Sequence, residues 1–240
     1  CLYGRLLRAY GRRGNWRKVA GSKVTETVSA EPTLDDVRRA LSLPLPGLDA
    51  QIKMAPQPRP GWNPNFAMPP DCREGGVLIL LYPRAGQLHF VLTRRTETLR
   101  SHKGQIALPG GAREDGEALV QTALRETREE LGVPPEGTEV LGQLSALYTP
   151  PSNYCIHPFV AYRPIAPTFR RDPVEVADVL EVSLALLLNP STRKVEHWSD
   201  PRFESPRRVP FFDIHGQVVW GATAMILSEF VTLLEDERDP

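Results

Sequence analysis

Apolar and β-branched residues fill positions 76–82 (GVLILLY) and 88–93 (LHFVLT), and the turn residues of 83–86 separate them, which predicts a hairpin in a central sheet. Residues 118–131 change period. They contain no Gly or Pro, are rich in Ala, Leu, Glu, Gln and Arg, and stop at Gly132 and Pro134, which predicts a helix. Further strands are predicted over 138–148, 157–162, 174–182, 194–198, 207–214 and 218–220, with a short buried helix at 183–188. Ala224, Leu227, Val231 and Leu234 recur at helical spacing in 221–234 and predict an amphipathic closing helix, with Met225 and Phe230 in or near the core. Near the start, Thr33 is a suitable N-cap for a helix over LDDVRRALSL, whose acidic residues precede its basic ones as the helix dipole favours. Strands interleaved with helices in this order predict an α/β protein, an α/β/α sandwich around a mixed sheet.

Polar positions of the 118–131 helix add chemistry to this picture. At about 100° per residue, Val120, Leu124, Thr127 and Leu131 share a packing face, and Glu126, Glu129 and Glu130 gather on a roughly opposite face that is expected to line a cleft. Carboxylates so spaced repel by roughly 1 kcal/mol per pair in water and more near a protein surface. A hard divalent cation offsets that repulsion, takes oxygen ligands and completes its shell with water and substrate phosphate. Arg125 stands one turn before Glu129, close enough to orient it, and Gly110 and Gly111 let backbone approach a ligand closely. A solvated charged face is the alternative for any such helix taken alone.

Residues 111–133, GAREDGEALVQTALRETREELGV, resemble the Nudix box, Gly-x5-Glu-x7-Arg-Glu-U-x-Glu-Glu-x-Gly-U with U aliphatic. Every fixed position matches, and Thr127 stands where the family carries an aliphatic residue. The resemblance implies a Nudix-type α/β/α sandwich with a loop-helix-loop catalytic box and hydrolysis of a diphosphate linked to a second moiety. It also implies Mg²⁺ or Mn²⁺ on Glu126, Glu129 and Glu130. Glu126 is the first choice for general base or water-orienting group, Glu130 for primary metal ligand, and Glu129 for a ligand positioned by Arg125. Glu117 is expected to steady the loop before the helix, and Glu175 is the candidate carboxylate outside the box, with a salt-bridged surface role as its alternative.

Upstream, residues 92–111 (LTRRTETLRSHKGQIALPGG) are similar to the motif of the coenzyme A diphosphatase branch, Leu-Leu-Thr-x-Arg-Ser/Ala-x3-Arg-x3-Gly-x3-Phe-Pro-Gly-Gly. Leu92, Thr93, Arg95, Arg100, Gly104, Pro109, Gly110 and Gly111 agree, whereas Val91, Thr96 and Leu108 depart. Weaker likeness at Glu175, Val176 and residues 220–224 extends the resemblance over roughly residues 75–228. Independently of any family, Arg94, Arg95, Arg100, His102 and Lys103 follow a strand and precede the glycine loop, where planar guanidinium groups suit a polyanion. The resemblance implies coenzyme A as the small-molecule substrate, split into 4′-phosphopantetheine and adenosine 3′,5′-bisphosphate, with Arg95, Arg100, His102, Lys103, Gly110 and Gly111 as substrate-binding residues. NADH, ADP-ribose or another nucleoside diphosphate derivative is the alternative substrate, and a non-catalytic binding module the third reading. Ser152 and Tyr154 are candidates to line the site from a later loop.

Composition narrows the partners. The 240 residues carry 29 basic and 29 acidic side chains, a balance that argues against binding nucleic acid chiefly through its phosphates. No run of 18 apolar residues is present, so no membrane span is expected. Cys1, Cys72 and Cys155 lack paired spacing and read as free thiols of a reducing, cytoplasmic compartment. Residues 1–30 read as a basic arm, residues 31–74 as a short helix followed by a proline-rich covering segment over 44–70, and residues 75–240 as the catalytic domain. The sequence leaves the oligomeric state open.

Overall fold

The computed structural model of the chain describes residues 31–58, 68–96, 104–199 and 206–238. The expected basic arm, Arg100, His102, Lys103 and part of the proline-rich segment lie outside them. At the centre are β1 (Arg73–Arg84) and β2 (Gln87–Arg95), the expected hairpin, in which Leu81 pairs antiparallel with Phe90. Beyond that pairing the two strands part, and β3 (Ile106–Ala107) on β2 and β4 (Gly110–Ala112) on β1 fill the wedge between them. Beyond β4 comes α3 (Leu119–Leu131), the predicted box helix, after the shorter α1 (Leu34–Ala40) and α2 (Leu48–Gln51) of the N-terminal segment.

The sheet is mixed. β7 (Tyr154–Tyr162) runs parallel to β1, while β5 (Glu139–Gln143) and β6 (Leu147–Thr149) pair antiparallel with β7, and β8 (Val176–Ser183) with β2. The predicted strand over 138–148 is therefore two strands on one partner. Alternate residues of β1 enter different cores: Leu78, Leu80 and Tyr82 pack towards α3, and Ile79 and Leu81 towards α5 (Gly221–Arg238). A strand buried on both faces reads as an unbroken apolar run, which is why 76–82 shows no alternation. A second sheet of β9 (Arg193–Trp198), β10 (Arg207–Ile214) and β11 (Gln217–Trp220) follows α4 (Leu184–Leu188) and joins the α5 side through Phe212, Ile214 and Val219.

Three expectations are corrected. Residues 48–54, expected to be extended covering chain, form α2 and a following 3₁₀ turn, and Ala50, Met54 and Ala55 are buried. Because α1 and α2 lie on α5, that closing helix is enclosed rather than amphipathic: Glu229 is fully buried, accepting from Gln51 Nε2 at 2.9 Å and Ser145 N at 3.1 Å. The third correction concerns the cysteines. Parallel pairing of Glu74 with Cys155 brings Cys72 beside Cys155, with Cα atoms 5.8 Å apart, and the two form a disulfide. Cys72 and Cys155 are therefore not the free thiols expected of a reducing compartment; their pairing spans 83 residues and arises from strand register that local spacing cannot show.

Candidate active site

The box helix begins after Ala118, caps with Gly132 in the left-handed conformation, and lies on the glycine-bearing edge where β1 meets β4. That closeness is steric in origin. A Cβ on Gly76 would stand 2.4 Å from Leu119 O and 2.9 Å from Ala123 N, and one on Gly111 would stand 2.4 Å from the Glu126 carboxyl carbon. Gly110, at φ 150°, leaves no room for a Cβ above Gly76 O either. Glycine at 76 lets the helix approach backbone to backbone, glycine at 111 leaves room for the Glu126 carboxylate, and glycine at 110 lets β4 close on β1.

This approach rotates the packing face away from the expected one. Ala123, Thr127 and Leu131 are buried, whereas Val120 and Leu124 are only partly so. Glu130 is 3% exposed instead of lying on an open face, and Glu126 is pressed against Gly111, while Glu129 remains largely exposed. Thr127 fits where an aliphatic residue was expected because its hydroxyl donates to Ala123 O at 2.7 Å within the helix.

Arg125 organises the outer part of the site. Its Nε donates to Glu117 Oε1 at 2.9 Å and its Nη2 to Glu117 Oε2 at 3.1 Å and to Ala112 O at 3.0 Å. Nη1 donates to Glu126 Oε1 at 2.9 Å and Glu129 Oε2 at 3.2 Å. One guanidinium thus ties the loop before the helix to two box carboxylates, a use of its planar fork. The Arg125 hydrogen bonds, with help from the Thr122 hydroxyl, hold the Glu117 carboxyl down at about 2. Arg125 itself is raised, chiefly by Glu117.

Burial acts in the opposite sense on the inner pair. Desolvation raises Glu130 to about 8 against the opposing pull of Arg95 and the Gly110 N–H, and Glu126 and Glu175 add repulsion. Glu126 is likewise raised, first by burial and further by Glu129 and Glu175, while Arg125 opposes. Gly110 N donates to Glu130 Oε2 at 3.3 Å, and Arg95 reaches both Glu130, at 3.5 Å, and Glu175, at 3.9 Å.

The structure therefore brings together Arg95, Gly110, Gly111, Arg125, Glu126, Glu129 and Glu130 of the expected site, and draws in Glu175. Ser152 and Tyr154 bond within their own neighbourhood instead: the Ser152 hydroxyl meets that of Thr149, and the Arg73 guanidinium lies 4.3 Å above the Tyr154 ring. Sequence reasoning missed the Thr122 hydroxyl on Glu117, at 2.7 Å, and the Arg95 bridge. The (i, i+5) spacing of Glu117 and Thr122 at a helix start was a usable signal for the first, whereas nothing local signals the second.

Among the described residues, no group of three or more Asp, Glu, His or Cys side chains stands ready to hold a metal ion. The donor chemistry nevertheless fits one: Glu126, Glu130 and Glu175 are carboxylates whose charged forms repel one another at partly buried positions, and a hard cation relieves that stress.

Fold and site together define an α/β protein with one acidic, arginine-braced centre suited to phosphate chemistry. The chain belongs to the Nudix family, whose NUDIX domain model matches residues 73–200. It is 38% identical over 141 residues to an uncharacterized Nudix hydrolase, NudL, of Photorhabdus laumondii, covering 58% of this chain and 73% of that one. The NudL of Yersinia enterocolitica is 36% identical over 173 residues, covering 71% and 84%. A MutT protein of Methanosarcina mazei is a more distant likeness among solved structures, at 18% identity and TM-score 0.45 over 70% of this chain and 96% of that one. Family membership makes the protein a hydrolase of phosphoric anhydrides, in a family that generally uses divalent ions such as Mg²⁺ or Mn²⁺. Among the described residues no helix is long and apolar enough to cross a membrane.

Proposed function

We propose that this Nudix hydrolase cleaves the diphosphate of coenzyme A to 4′-phosphopantetheine and adenosine 3′,5′-bisphosphate with Mg²⁺ or Mn²⁺. The observation that carries the reading is the meeting of the two sequence patterns at one carboxylate. Arg95 and Gly110 of the upstream motif both contact Glu130 of the box. Contact of Arg95 and Gly110 with a box carboxylate supports a shared role of the two patterns in binding one substrate.

In this reading Glu126, Glu129 and Glu130 hold the metal, which when bound supplies Lewis acidity at a phosphoryl oxygen. Arg125 orients Glu126 and Glu129, and its own hold on Glu117 and Ala112 O keeps it from turning away. Glu126, raised by burial, receives a proton from the attacking water as the new phosphorus–oxygen bond forms and the anhydride bond breaks. Gly110 and Gly111, beside Glu130 and Glu126, border the diphosphate in this reading, and the rest of the substrate is assigned to Arg100, His102 and Lys103 of the upstream motif.

A panel of coenzyme A, dephospho-coenzyme A, NADH and ADP-ribose with either metal, with products identified by mass, tests this. Coenzyme A is expected to give the highest kcat/KM and the two products named. Faster turnover of NADH or ADP-ribose would assign the site to another nucleoside diphosphate derivative.

A further inference from the structure

Arg95 is not part of the helical box, yet its guanidinium reaches Glu130, the most buried of the box glutamates. It bridges Glu130 Oε1 at 3.5 Å and Glu175 Oε2 at 3.9 Å. Both separations exceed the roughly 2.7–2.9 Å of a well-made charge-assisted bond. Its Nε is buried and has no hydrogen-bond partner among the described residues. The adjacent Arg94 shares that unpartnered Nε but pairs with a different carboxylate, Asp178, at 3.2 Å, since the register of β2 on β8 slips between the two arginines. That irregularity lets consecutive residues serve separate acidic partners. The pair at Arg94 lies on the open part of the strand, with both side chains about half exposed, whereas the bridge at Arg95 closes over a carboxylate that is almost fully buried.

Glu130 and Glu175 repel each other, and both lie within electrostatic reach of Glu126. Among the described residues, Arg95 is the cationic group that stands between Glu130 and Glu175. Its two long contacts, and an Nε without a hydrogen-bond partner among the described residues, make it a weak occupant, which a divalent ion held by Glu130 and its neighbours would displace. We propose that Arg95 is an exchangeable counter-cation: it holds Glu130 and Glu175 in place while the metal is absent and surrenders both carboxylates when the metal binds. This rests on the metal-dependent reading above but not on the identity of the substrate. Arg95 is then a positioning residue for the metal ligands, and it becomes free to turn its fork elsewhere only in the metal-bound protein.

Reciprocity between the two cations gives the test. Thermal melts of the whole chain are recorded in EDTA and in saturating Mn²⁺, without substrate, for the parent, Arg95→Gln, Arg95→Lys and Arg94→Gln. Arg95→Gln is expected to melt several degrees below the parent in EDTA and level with it in Mn²⁺. By linkage its half-saturating Mn²⁺ concentration then falls by about tenfold. Arg95→Lys keeps the charge and loses the fork, so it is expected to show a smaller gap that also closes, and it serves as the reporter if the glutamine variant does not fold. Arg94→Gln is expected to show the same gap under both conditions. A gap at Arg95 that persists unchanged in Mn²⁺ would make the bridge purely structural and overturn the proposal, as would equal melting in EDTA. Failure of Mn²⁺ to raise the parent's own melting temperature would instead sink the metal-dependent reading, and failure to hydrolyse coenzyme A would leave this result untouched.

Discussion

Glu130 concentrates the chemistry of the site in one side chain. Its folded-state pKa of about 8 lies well above the roughly 4.3 of a free glutamate, and burial is the main cause. A raised carboxyl favours its protonated form in the fold, so its contribution to stability is fully present below about pH 4 and is lost as pH rises through about 8. Glu117, held at about 2 by Arg125, acts in the opposite sense and in a separate window, losing its contribution as pH falls from about 4 towards 2. In EDTA, Glu130→Gln is therefore expected to out-melt the parent by a margin that grows between pH 5 and 8, because glutamine has no charge to bury. Parallel melting profiles across that range would show that Glu130 is ionised without penalty. The same variant loses a metal-facing oxygen charge, and Glu126→Gln loses the proton acceptor, for which a fall in kcat of about 10²–10⁴-fold is expected. Activity of Glu126→Gln within a few-fold of the parent would remove that residue from the proton transfer.

At the scale of the element, α3 shows how far pattern reading reaches. Its limits were legible from composition and from Gly132, and the structure starts it one residue later than predicted. Its orientation was not legible, because apolar size suggested a face through Val120 and Leu124, whereas the contact surface is set by what lies opposite. Opposite is Gly76, which accepts the helix at its smallest residue, Ala123, while Gly111 leaves room for the Glu126 carboxylate and the Gly110 N–H meets Glu130. The glycines can be separated by their clashes. Gly76→Ala pushes a methyl into the helix backbone, an overpacking that costs about 1–3 kcal/mol and is expected to lower the melting temperature by several degrees. Gly111→Ala meets the end of the Glu126 side chain instead, so kcat is expected to fall at least tenfold with little change in melting. A Gly111→Ala enzyme with full activity and a lowered melting temperature would mean that the loop, not the carboxylate, gives way.

Across the whole molecule, the sheet's membership was largely readable and its closure was not. Hairpin, box helix and closing helix follow from local period, but β6, the enclosure of α5 and the bond between Cys72 and Cys155 depend on which distant segments become neighbours. That bond ties the entry of β1 to the entry of β7, the two parallel strands at the centre of the sheet, with Cys155 fully buried. Disulfides persist mainly in oxidising surroundings. Closing a loop of 83 residues removes chain entropy equivalent to about 4–5 kcal/mol from the unfolded state in the simple loop model. Reduction, or Cys72→Ser, is accordingly expected to lower the melting temperature by about 10 °C for a chain of this size. Thiol titration of the denatured, unreduced protein should find one free cysteine, Cys1, and three after reduction. Three thiols before reduction, with no change in melting on adding reductant, would show that Cys72 and Cys155 stand side by side unbonded and would restore the reading of the cysteines as free thiols.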